Sequence, residues 1–524
     1  MSTNTMNEVK DSSEKVDVQL MMDRHQYNDE TKNIIEKENL LPYTLLQRLH
    51  TCYPQHSGIK EEAEFIFTEK NHYSGKGGFR EILGILEKNN IQIGHYKERE
   101  LFIDVYRFLA TKHVLNTINW NDFATDSVFQ LVFPQPGMMK PEVTEAYLAA
   151  ETEEEQKKIV EDYMELTNPH DGKQQLNKPW FKNDEGELEV LEGSQHKYPQ
   201  CHLIFDKTTQ SCFAFCTYCF RHAQVRGDED MFIQKEVRPV HEYMKRHKEI
   251  TDLLITGGDG GYMPYERLKS YVEPLMTEPE LMHIRTLRIG SRALTFHPEM
   301  ILTKDYENIL GLFRKLTDHG IQVAWMGHFS TPRELLNIST IAAARRLKKH
   351  GVMVKSQSPV MNHISLFTHE NGKVDIDRSA QNWIDLGHVL GMNGIGFHSM
   401  YCARPTGEHQ YFTTPLADLN KVFSKIYRTL PSISRPSRYI TMTSSAGKTS
   451  MLGEAIVGGK KAFVLKFNES RNMEWMDKVY LAKYDENQNT IEKLEPLDTD
   501  EYFYSEELKD IENKLEETNK EGRK

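Results

Sequence analysis

The chain has 524 residues, with 65 Lys or Arg against 77 Asp or Glu, which gives a formal net charge of −12 at pH 7. An acidic chain does not favour a phosphate-backbone partner, so we expect no nucleic-acid binding. No apolar run approaches the roughly 18 to 20 residues that span a bilayer, and the first residues have no signal-peptide pattern. These features predict a cytoplasmic protein with no membrane partner.

At this length several regions are expected, because single hydrophobic cores stop growing near about 250 to 300 residues. Residues 1–40 are polar and charged, and they predict a loosely held N-terminal arm. Apolar residues at helical spacing predict a mostly helical region over residues 41–195. Residues 451–524 are predicted to form a small C-terminal extension, with a strand at 462–467 and a charged terminal helix.

Residues 196–450 contain seven short apolar runs separated by mostly helical segments. The runs lie at 201–205, 252–256, 286–290, 322–326, 352–355, 394–398 and 439–443. This alternation implies parallel strands with right-handed crossovers. We predict an α/β fold, an incomplete (β/α)6-type parallel barrel, whose reactive groups collect at the carboxyl ends of its strands.

The most informative pattern is Cys212, Cys216 and Cys219, at C-x3-C-x2-C spacing, since the chain has only six cysteines. Three thiolates satisfy three irons of a [4Fe–4S] cube and leave the fourth iron open to a small molecule. The alternative is a Cys3His zinc site completed by His222. Zinc sites more often draw their ligands as two separated pairs, which favours the cluster.

These cysteines belong to a series of motifs that resembles the radical S-adenosylmethionine (SAM) enzymes, and more narrowly the lysine 2,3-aminomutase family. The resemblance covers about residues 120–453. Its motifs are HKYP at 196–199, the cysteine run followed by Arg221, TGGD at 256–259, RIGSR at 288–292, GHF at 327–329, SQS at 356–358, and AGK ending at Lys448. It implies an isomerase, an amino-acid 2,3-aminomutase, with a [4Fe–4S] cluster, SAM and pyridoxal 5′-phosphate (PLP) as cofactors.

The segment after the second strand suits a SAM site, because glycines let the backbone approach a ligand closely. An ordinary strand-end turn is the alternative. The resemblance implies that the segment holds the methionyl amino group and that two later residues contact the same cofactor. A Ser-Arg pair fits a carboxylate clamp. The predicted SAM residues are Gly257, Gly258, Asp259, Ser291, Arg292, His328 and Gln357.

Lys448 is the second informative position, since a lysine amine reacts with carbonyl cofactors and the glycine before it gives the backbone room. A phosphate-binding loop is not favoured, because Met442 stands where that motif requires glycine. Lys460 is a second candidate. The resemblance selects Lys448 as the PLP lysine, places Tyr198 on the PLP ring, and puts His202 near the family's phosphate-binding arginine.

The resemblance also assigns substrate positions. Arg221 matches the residue that grips the substrate carboxylate, although a cluster-shielding role is the alternative. Ala403 and Thr441 stand where lysine-specific enzymes place aspartates against the distal ammonium, so lysine should be a poor substrate. Arg404 could face an acidic side chain. Glutamate and a neutral amino acid both remain open.

Two other function classes remain open: a different radical SAM reaction on an amino acid or peptide, and a non-catalytic zinc or iron–sulfur protein. The expected partners are a small amino-acid substrate and an electron donor such as flavodoxin or ferredoxin. The family's zinc-binding cysteines near the carboxyl terminus are missing, since no cysteine follows Cys402. A homo-oligomer would therefore be held together differently.

Overall fold

A computed structural model describes residues 15–59, 65–167, 172–227, 231–404 and 406–522. The N-terminal part is mostly helical, with two small antiparallel strand pairs, β1 with β2 and β3 with β4. Its helices are α1 (Val18–Arg24), α2 (Asp29–Lys37), α3 (Tyr43–Cys52), α4 (Gly75–Lys88), α5 (Tyr96–Val105), α6 (Lys112–Thr117), α7 (Ser127–Val132), α8 (Pro141–Ala149) and α9 (Glu153–Leu166). Its strands are β1 (His72–Ser74), β2 (Leu109–Thr111), β3 (Trp180–Lys182) and β4 (Leu188–Val190).

The N-terminal arm differs from the prediction. Residues 1–14 lie outside the described residues, but residues 15–40 form α1 and α2 and dock on the rest of the fold. Met21 and Met22 are buried. Glu38 accepts a 3.0 Å hydrogen bond from Arg346 of the barrel layer. The expectation of a loosely held arm is wrong for residues 15–40. The segment is polar on average, but its helices have a short apolar face that packs on the fold.

The main sheet has eleven strands among the described residues, in the order β15-β14-β13-β12-β11-β10-β9-β8-β7-β6-β5. Strands β6 to β12 are all parallel, and the remaining pairings are antiparallel. The strands are β5 (Ser194–Tyr198), β6 (Cys201–Phe205), β7 (Asp252–Thr256), β8 (Thr286–Ser291), β9 (Gln322–Gly327), β10 (Met353–Val360), β11 (Gly396–Cys402), β12 (Thr441–Thr443), β13 (Gly447–Val457), β14 (Lys460–Ser470) and β15 (Val479–Lys483).

Helices connect successive parallel strands, which gives six strand–helix units before β12 and confirms the predicted fold class. These helices, with the terminal α19, are α10 (His222–Arg226), α11 (Arg238–Arg246), α12 (Tyr265–Thr277), α13 (Ala293–Phe296), α14 (Glu307–Asp318), α15 (Ile338–Lys349), α16 (Ile376–Met392), α17 (His409–Phe412), α18 (Leu416–Thr429) and α19 (Ser505–Gly522). All seven predicted apolar runs overlap the parallel strands, because side chains buried on both faces favour continuous apolar sequence.

The barrel is incomplete, and side chains connect its two ends. The Lys197 amine, on β5, donates a hydrogen bond to the carbonyl of Ser444, which follows β12. At the other end of the strands the N-terminal region holds the cysteine segment. The amide of Phe215 donates to the carbonyl of Leu109 at 2.8 Å, and the amide of Thr217 donates to that of Leu131 at 2.9 Å. The fold thus encloses a space between the cysteines and the β12–β13 turn.

Candidate active site

One cavity of about 500 Å³ occupies the inside of the barrel. Cys212, Cys216 and Cys219 line it, and so does Lys448 from β13. Its volume is within the roughly 300 to 1,000 Å³ that is usual for ligand sites. Two sets of residues predicted from separate parts of the sequence therefore face one cavity.

The three thiols are not arranged as a compact zinc site. Two thiolates on one tetrahedral zinc lie about 3.8 Å apart, as Zn–S bonds of about 2.3 Å require. In the described part of the chain, only His196, His247 and Glu249 form a group of three or more ligand atoms within 4.8 Å of one another. In the described chain the three thiols are thus not all within 4.8 Å of one another, and they do not form such a group with His222.

Burial raises the pKa of each of these thiols, to about 12 at Cys219. Such thiols are neutral at pH 7, and a cationic metal centre is what converts buried thiols to thiolates. At Cys216 the positive charge of Arg292 acts against the effect of burial, because it lowers the pKa of the thiol and favours the thiolate. The donor set therefore fits a cluster.

The glycines after β7 are required by chain packing. Gly257 has φ +142°, and a Cβ there would lie 2.4 Å from the Thr209 hydroxyl. A Cβ on Gly258 would lie 2.6 Å from the carbonyl of Ser211. The residues that lead into Cys212 thus rest directly on these glycines, which position the cysteine segment at the mouth of the barrel.

Asp259 is a buried carboxylate in the cavity wall. It accepts hydrogen bonds from the amides of Gly261 at 2.8 Å and Arg292 at 2.7 Å. Burial raises its pKa to about 6. Such a carboxylate would gain from an ammonium partner, which the amino group of SAM offers. His328 and Gln357 line the same cavity, as do Gly257, Gly258 and Ser291.

Arg292 lines the cavity but already has a carboxylate partner. It donates to Glu334 at 3.1 Å and to the Tyr218 hydroxyl at 3.0 Å. Burial lowers the pKa of His328 to about 3, with a further contribution from Arg292, so its imidazole is neutral. The proposed carboxylate clamp would therefore share the Arg292 guanidinium with Glu334.

Lys448 forms a partly buried ion pair with Glu469, its neighbour across β13 and β14, at 2.5 Å. Burial alone would lower the pKa of the Lys448 amine, but Tyr401 and the Glu469 carboxylate raise it above its ordinary value. The amine lies 4.8 Å from the ring centre of Tyr198. A reactive amine beside a buried aromatic ring fits a flat, ring-shaped aldehyde.

The Lys448 end of the cavity is rich in cations without carboxylate partners among the described residues. Lys197 donates to the carbonyl of Ser444, and Arg471 donates to that of Ser445 at 2.9 Å. Burial, then Arg471 and Arg404, lower the pKa of Lys197. Partly buried cations near two serines fit a phosphate group.

The sequence did not single out Lys197, Glu469 or Arg471. Lys197 lies inside the HKYP motif and could have been noticed there. Glu469 and Arg471 belong to the predicted C-terminal extension, in which the sequence offered only Lys460 as a candidate site residue. The pairing of β13 with β14 brings Glu469 to Lys448, and Arg471, which follows β14, lines the cavity.

Two predicted site residues do not reach the cavity. His202 is fully buried but packs outward on Tyr243 of α11, with ring centres 5.3 Å apart. Side chains alternate along a strand, so Cys201 and Leu203 face the cavity and His202 cannot. The prediction that His202 contacts a cofactor is therefore wrong.

Thr441 is also displaced from its predicted position. It lies at the start of β12. Its hydroxyl donates to the carbonyl of Tyr439 at 2.8 Å and lies 3.0 Å from the hydroxyl of Ser450. Thr443, two residues later, lines the cavity instead. The prediction that Thr441 contacts the substrate is therefore wrong, because this residue belongs to a buried polar cluster outside the cavity.

Arg221 and Arg404 share one aromatic ring. Their guanidinium carbons lie 5.1 and 4.6 Å from the ring centre of Phe220. Burial, then Arg404, lower the pKa of Arg221 to about 10. Neither arginine has a carboxylate partner among the described residues, and Ala403 lines the cavity beside them. An anionic ligand would relieve this concentration of charge.

A partial parallel barrel with three clustered cysteines and a lysine facing one cavity is the arrangement that the resemblance to radical SAM aminomutases implies. No protein-family model matches the chain. The chain is 27% identical over 279 residues, 52% of its length, to a putative L-lysine 2,3-aminomutase of Aquifex aeolicus, of which the match covers 69%. It is 22% identical to the L-lysine 2,3-aminomutase of Fusobacterium nucleatum, over 52% of this chain and 58% of that one.

A third relative is the glutamate 2,3-aminomutase of Clostridioides difficile, 27% identical over 32% of this chain and 37% of that one. These similarities confirm the resemblance to the lysine 2,3-aminomutase family at low identity. A radical SAM methyltransferase structure from Sphaerobacter thermophilus aligns at 14% identity and a TM-score of 0.29, over 51% of this chain and 76% of that one.

Among the described residues, no helix is long and apolar enough to cross a membrane.

Proposed function

We propose that this protein is a radical SAM, PLP-dependent amino-acid 2,3-aminomutase that acts on an amino acid other than lysine. The observation that carries the proposal is the single cavity shared by the three cysteines and Lys448. When bound, the cluster and SAM supply a carbon radical that removes a hydrogen from the substrate, and PLP holds the migrating nitrogen. A one-electron donor such as flavodoxin or ferredoxin would reduce the cluster.

The residues of the chain divide these tasks along the cavity. Cys212, Cys216 and Cys219 would hold the cluster at one end, and Asp259 would pair with the amino group of SAM. At the other end, Lys448 would anchor the PLP aldehyde and Tyr198 would pack on its ring. Lys197 and Arg471 would neutralise the PLP phosphate, together with hydroxyls of Ser444 and Ser445 that lie in the same wall.

Aromatic rings in the cavity wall would help to exclude water from the reacting carbons. Phe205, Phe215, Phe220, Phe296 and Phe412 all line the cavity. A reactive carbon radical abstracts hydrogen from whatever it meets, so a closed apolar wall protects the reaction from side products. The position of these rings supports a radical reaction rather than a hydrolytic one.

The cation pair on Phe220 supports an acidic substrate. Arg221 would bind the α-carboxylate, and Arg404 would bind a second carboxylate on the side chain. The carboxylates that line the described cavity are Asp259 and Glu492. Glu492 accepts a hydrogen bond from the amide of Ser445 at 2.9 Å. Its charge also partly offsets the lowering of the pKa of nearby Lys197 and Arg404. Among the described residues, Glu492 is the one cavity carboxylate not assigned to SAM, and Arg404 would repel the distal ammonium of lysine, so a dicarboxylic amino acid is favoured.

The test is anaerobic turnover by the full chain, reconstituted with iron, sulfide, SAM, PLP and a chemical reductant. A panel of amino acids is scanned for β-amino acid products. We expect product from a dicarboxylic amino acid and little from lysine. Rapid formation of β-lysine would contradict the substrate proposal. Release of 5′-deoxyadenosine without any β-amino acid across the panel would favour a different radical SAM reaction.

A further inference from the structure

A cluster of histidines lies outside the barrel, on the side of β5 and β6 away from the cavity. His196 of β5, His247 at the end of α11 and Glu249 before β7 bring three ligand atoms within 4.8 Å of one another. The His247 Nδ1 lies 2.8 Å from a carboxylate oxygen of Glu249. Two imidazoles and a carboxylate are a ligand set for a borderline transition-metal dication such as Zn²⁺.

The surroundings of His196 resemble the support that metal-binding histidines receive. Its Nε2 lies 3.0 Å from the carbonyl of Pro199, which fixes the proton on that nitrogen. The Nδ1 lone pair then faces the cluster, where it now accepts from the Tyr243 hydroxyl at 2.7 Å. An ion at Nδ1 would take the place of the Tyr243 hydroxyl as the partner of this lone pair.

His202 supplies a second, independent observation. It is fully buried, and neither of its ring nitrogens has a hydrogen-bond partner among the described residues. Its ring lies parallel to that of His196, with centres 6.1 Å apart. Buried polar groups in native proteins are nearly always satisfied, by protein or by water. A hydrated ion beside His196 would bring water to this pocket and provide the missing partner.

We propose that His196, His247 and Glu249 form a structural binding site for Zn²⁺ or a similar dication, with His202 partnered by metal-bound water. The ion would join β5 to the α11–β7 connection. Strand β5 is the edge of the sheet and pairs only with β6 among the described strands. Since Tyr198 is two residues beyond His196, the ion would also fix the strand that carries a wall of the cavity.

The site is tested by zinc titration against a chromophoric chelator, on full-length, tag-free, chelator-treated protein. The cysteines also bind zinc, so the titration uses the Cys212→Ser, Cys216→Ser, Cys219→Ser variant as its background. We expect one remaining zinc site and a rise of the melting temperature with zinc. His247→Gln should weaken that site at least about tenfold, as loss of a supporting group already does in metal sites, and abolish the rise in melting temperature.

Glu249→Gln should weaken the site as well, whereas Glu98→Gln is the matched control. Glu98 pairs with exposed His95 at 3.1 Å but belongs to no group of three ligands among the described residues. His247 and Glu249 are partly exposed, so their variants should fold, which circular dichroism would verify. Absence of zinc binding in the triple-serine background, or equal binding by His247→Gln, would overturn the site. Neither result bears on the radical chemistry, since no cluster is present.

Discussion

Lys448 and Glu469 face each other across β13 and β14, with the amine 2.5 Å from a carboxylate oxygen. Arg438 donates to the other oxygen of Glu469 at 2.9 Å. Burial opposes ionisation of Glu469, but Lys448 and Arg438 lower its pKa to about 2. The pair therefore holds Lys448 as an ammonium, and only the neutral amine can attack an aldehyde.

This pairing predicts how PLP loading depends on pH. Because the pKa of Lys448 is raised, the neutral amine becomes more abundant as pH rises, and the visible PLP absorbance should grow across the alkaline range. Glu469→Gln removes the stabilising charge, so burial then lowers the pKa of Lys448. The midpoint of the absorbance titration should fall by about one pH unit or more, which is about 1.4 kcal/mol per unit.

The control is Glu454→Gln, on the same strand pair but bound to Lys461 and Asn420. Its titration should match that of the wild type. An unchanged midpoint in Glu469→Gln would show that this carboxylate does not set the charge of the amine.

Lys448→Ala should abolish the covalent PLP absorbance but leave the cluster absorbance and iron content unchanged, because the two sites occupy opposite ends of the cavity. Lys460→Ala should keep both signals, since the Lys460 amine pairs with Asp498 on the exposed side of β14. Borohydride reduction followed by peptide mass spectrometry identifies the modified lysine. Labelling of Lys460 in the wild type would contradict the assignment.

Cys216→Ser should reduce the iron and sulfide bound after anaerobic reconstitution and remove the electron paramagnetic resonance signal of the reduced cluster. The site supplies three thiolates for the four irons of the cluster, so loss of one thiolate leaves two irons without protein ligands. Cys52→Ser changes an exposed cysteine outside the cavity and serves as the control. Full iron content in Cys216→Ser would exclude the proposed ligand set.

The sequence predicted the parallel strands and the cysteines because both signals are local. Seven apolar runs mark the strands, and Cys212 to Cys219 lie within one short segment. Lys448 was selected by resemblance, and its position in the cavity agrees with that choice. The arm at residues 15–40 and the catalytic neighbour Glu469 could not be predicted, since their contacts join parts of the chain distant in sequence. His202 was misplaced because the strand register decides which side chains face inward.

Gly257→Ala should displace the cysteine segment. The added Cβ would meet Thr209 within 2.5 Å, at a φ that side chains rarely adopt. We expect a loss of about 1–3 kcal/mol in the free energy of unfolding and a lower cluster content. Gly84→Ala, in α4, meets nothing within 4 Å and should stabilise the fold by about 0.5–1 kcal/mol. Denaturant titration checks both variants, and a neutral Gly257→Ala would show that the close packing is not required.

Arg404→Gln should lower kcat/KM for a dicarboxylic amino acid by about 10- to 150-fold, because a charged hydrogen bond contributes about 1.5–3 kcal/mol. Turnover of a neutral amino acid should change little. Arg48→Gln alters an exposed arginine of α3 and is the matched control. Equal losses for acidic and neutral substrates would show that Arg404 acts elsewhere, for example on the PLP phosphate.

The most direct test of the shared cavity is an anaerobic crystal structure of the full chain reconstituted with iron, sulfide, SAM and PLP. We expect a [4Fe–4S] cluster on Cys212, Cys216 and Cys219, with SAM on its open iron, facing PLP joined to Lys448 across the same space. PLP on another lysine, or a metal other than this cluster on the three cysteines, would contradict the account.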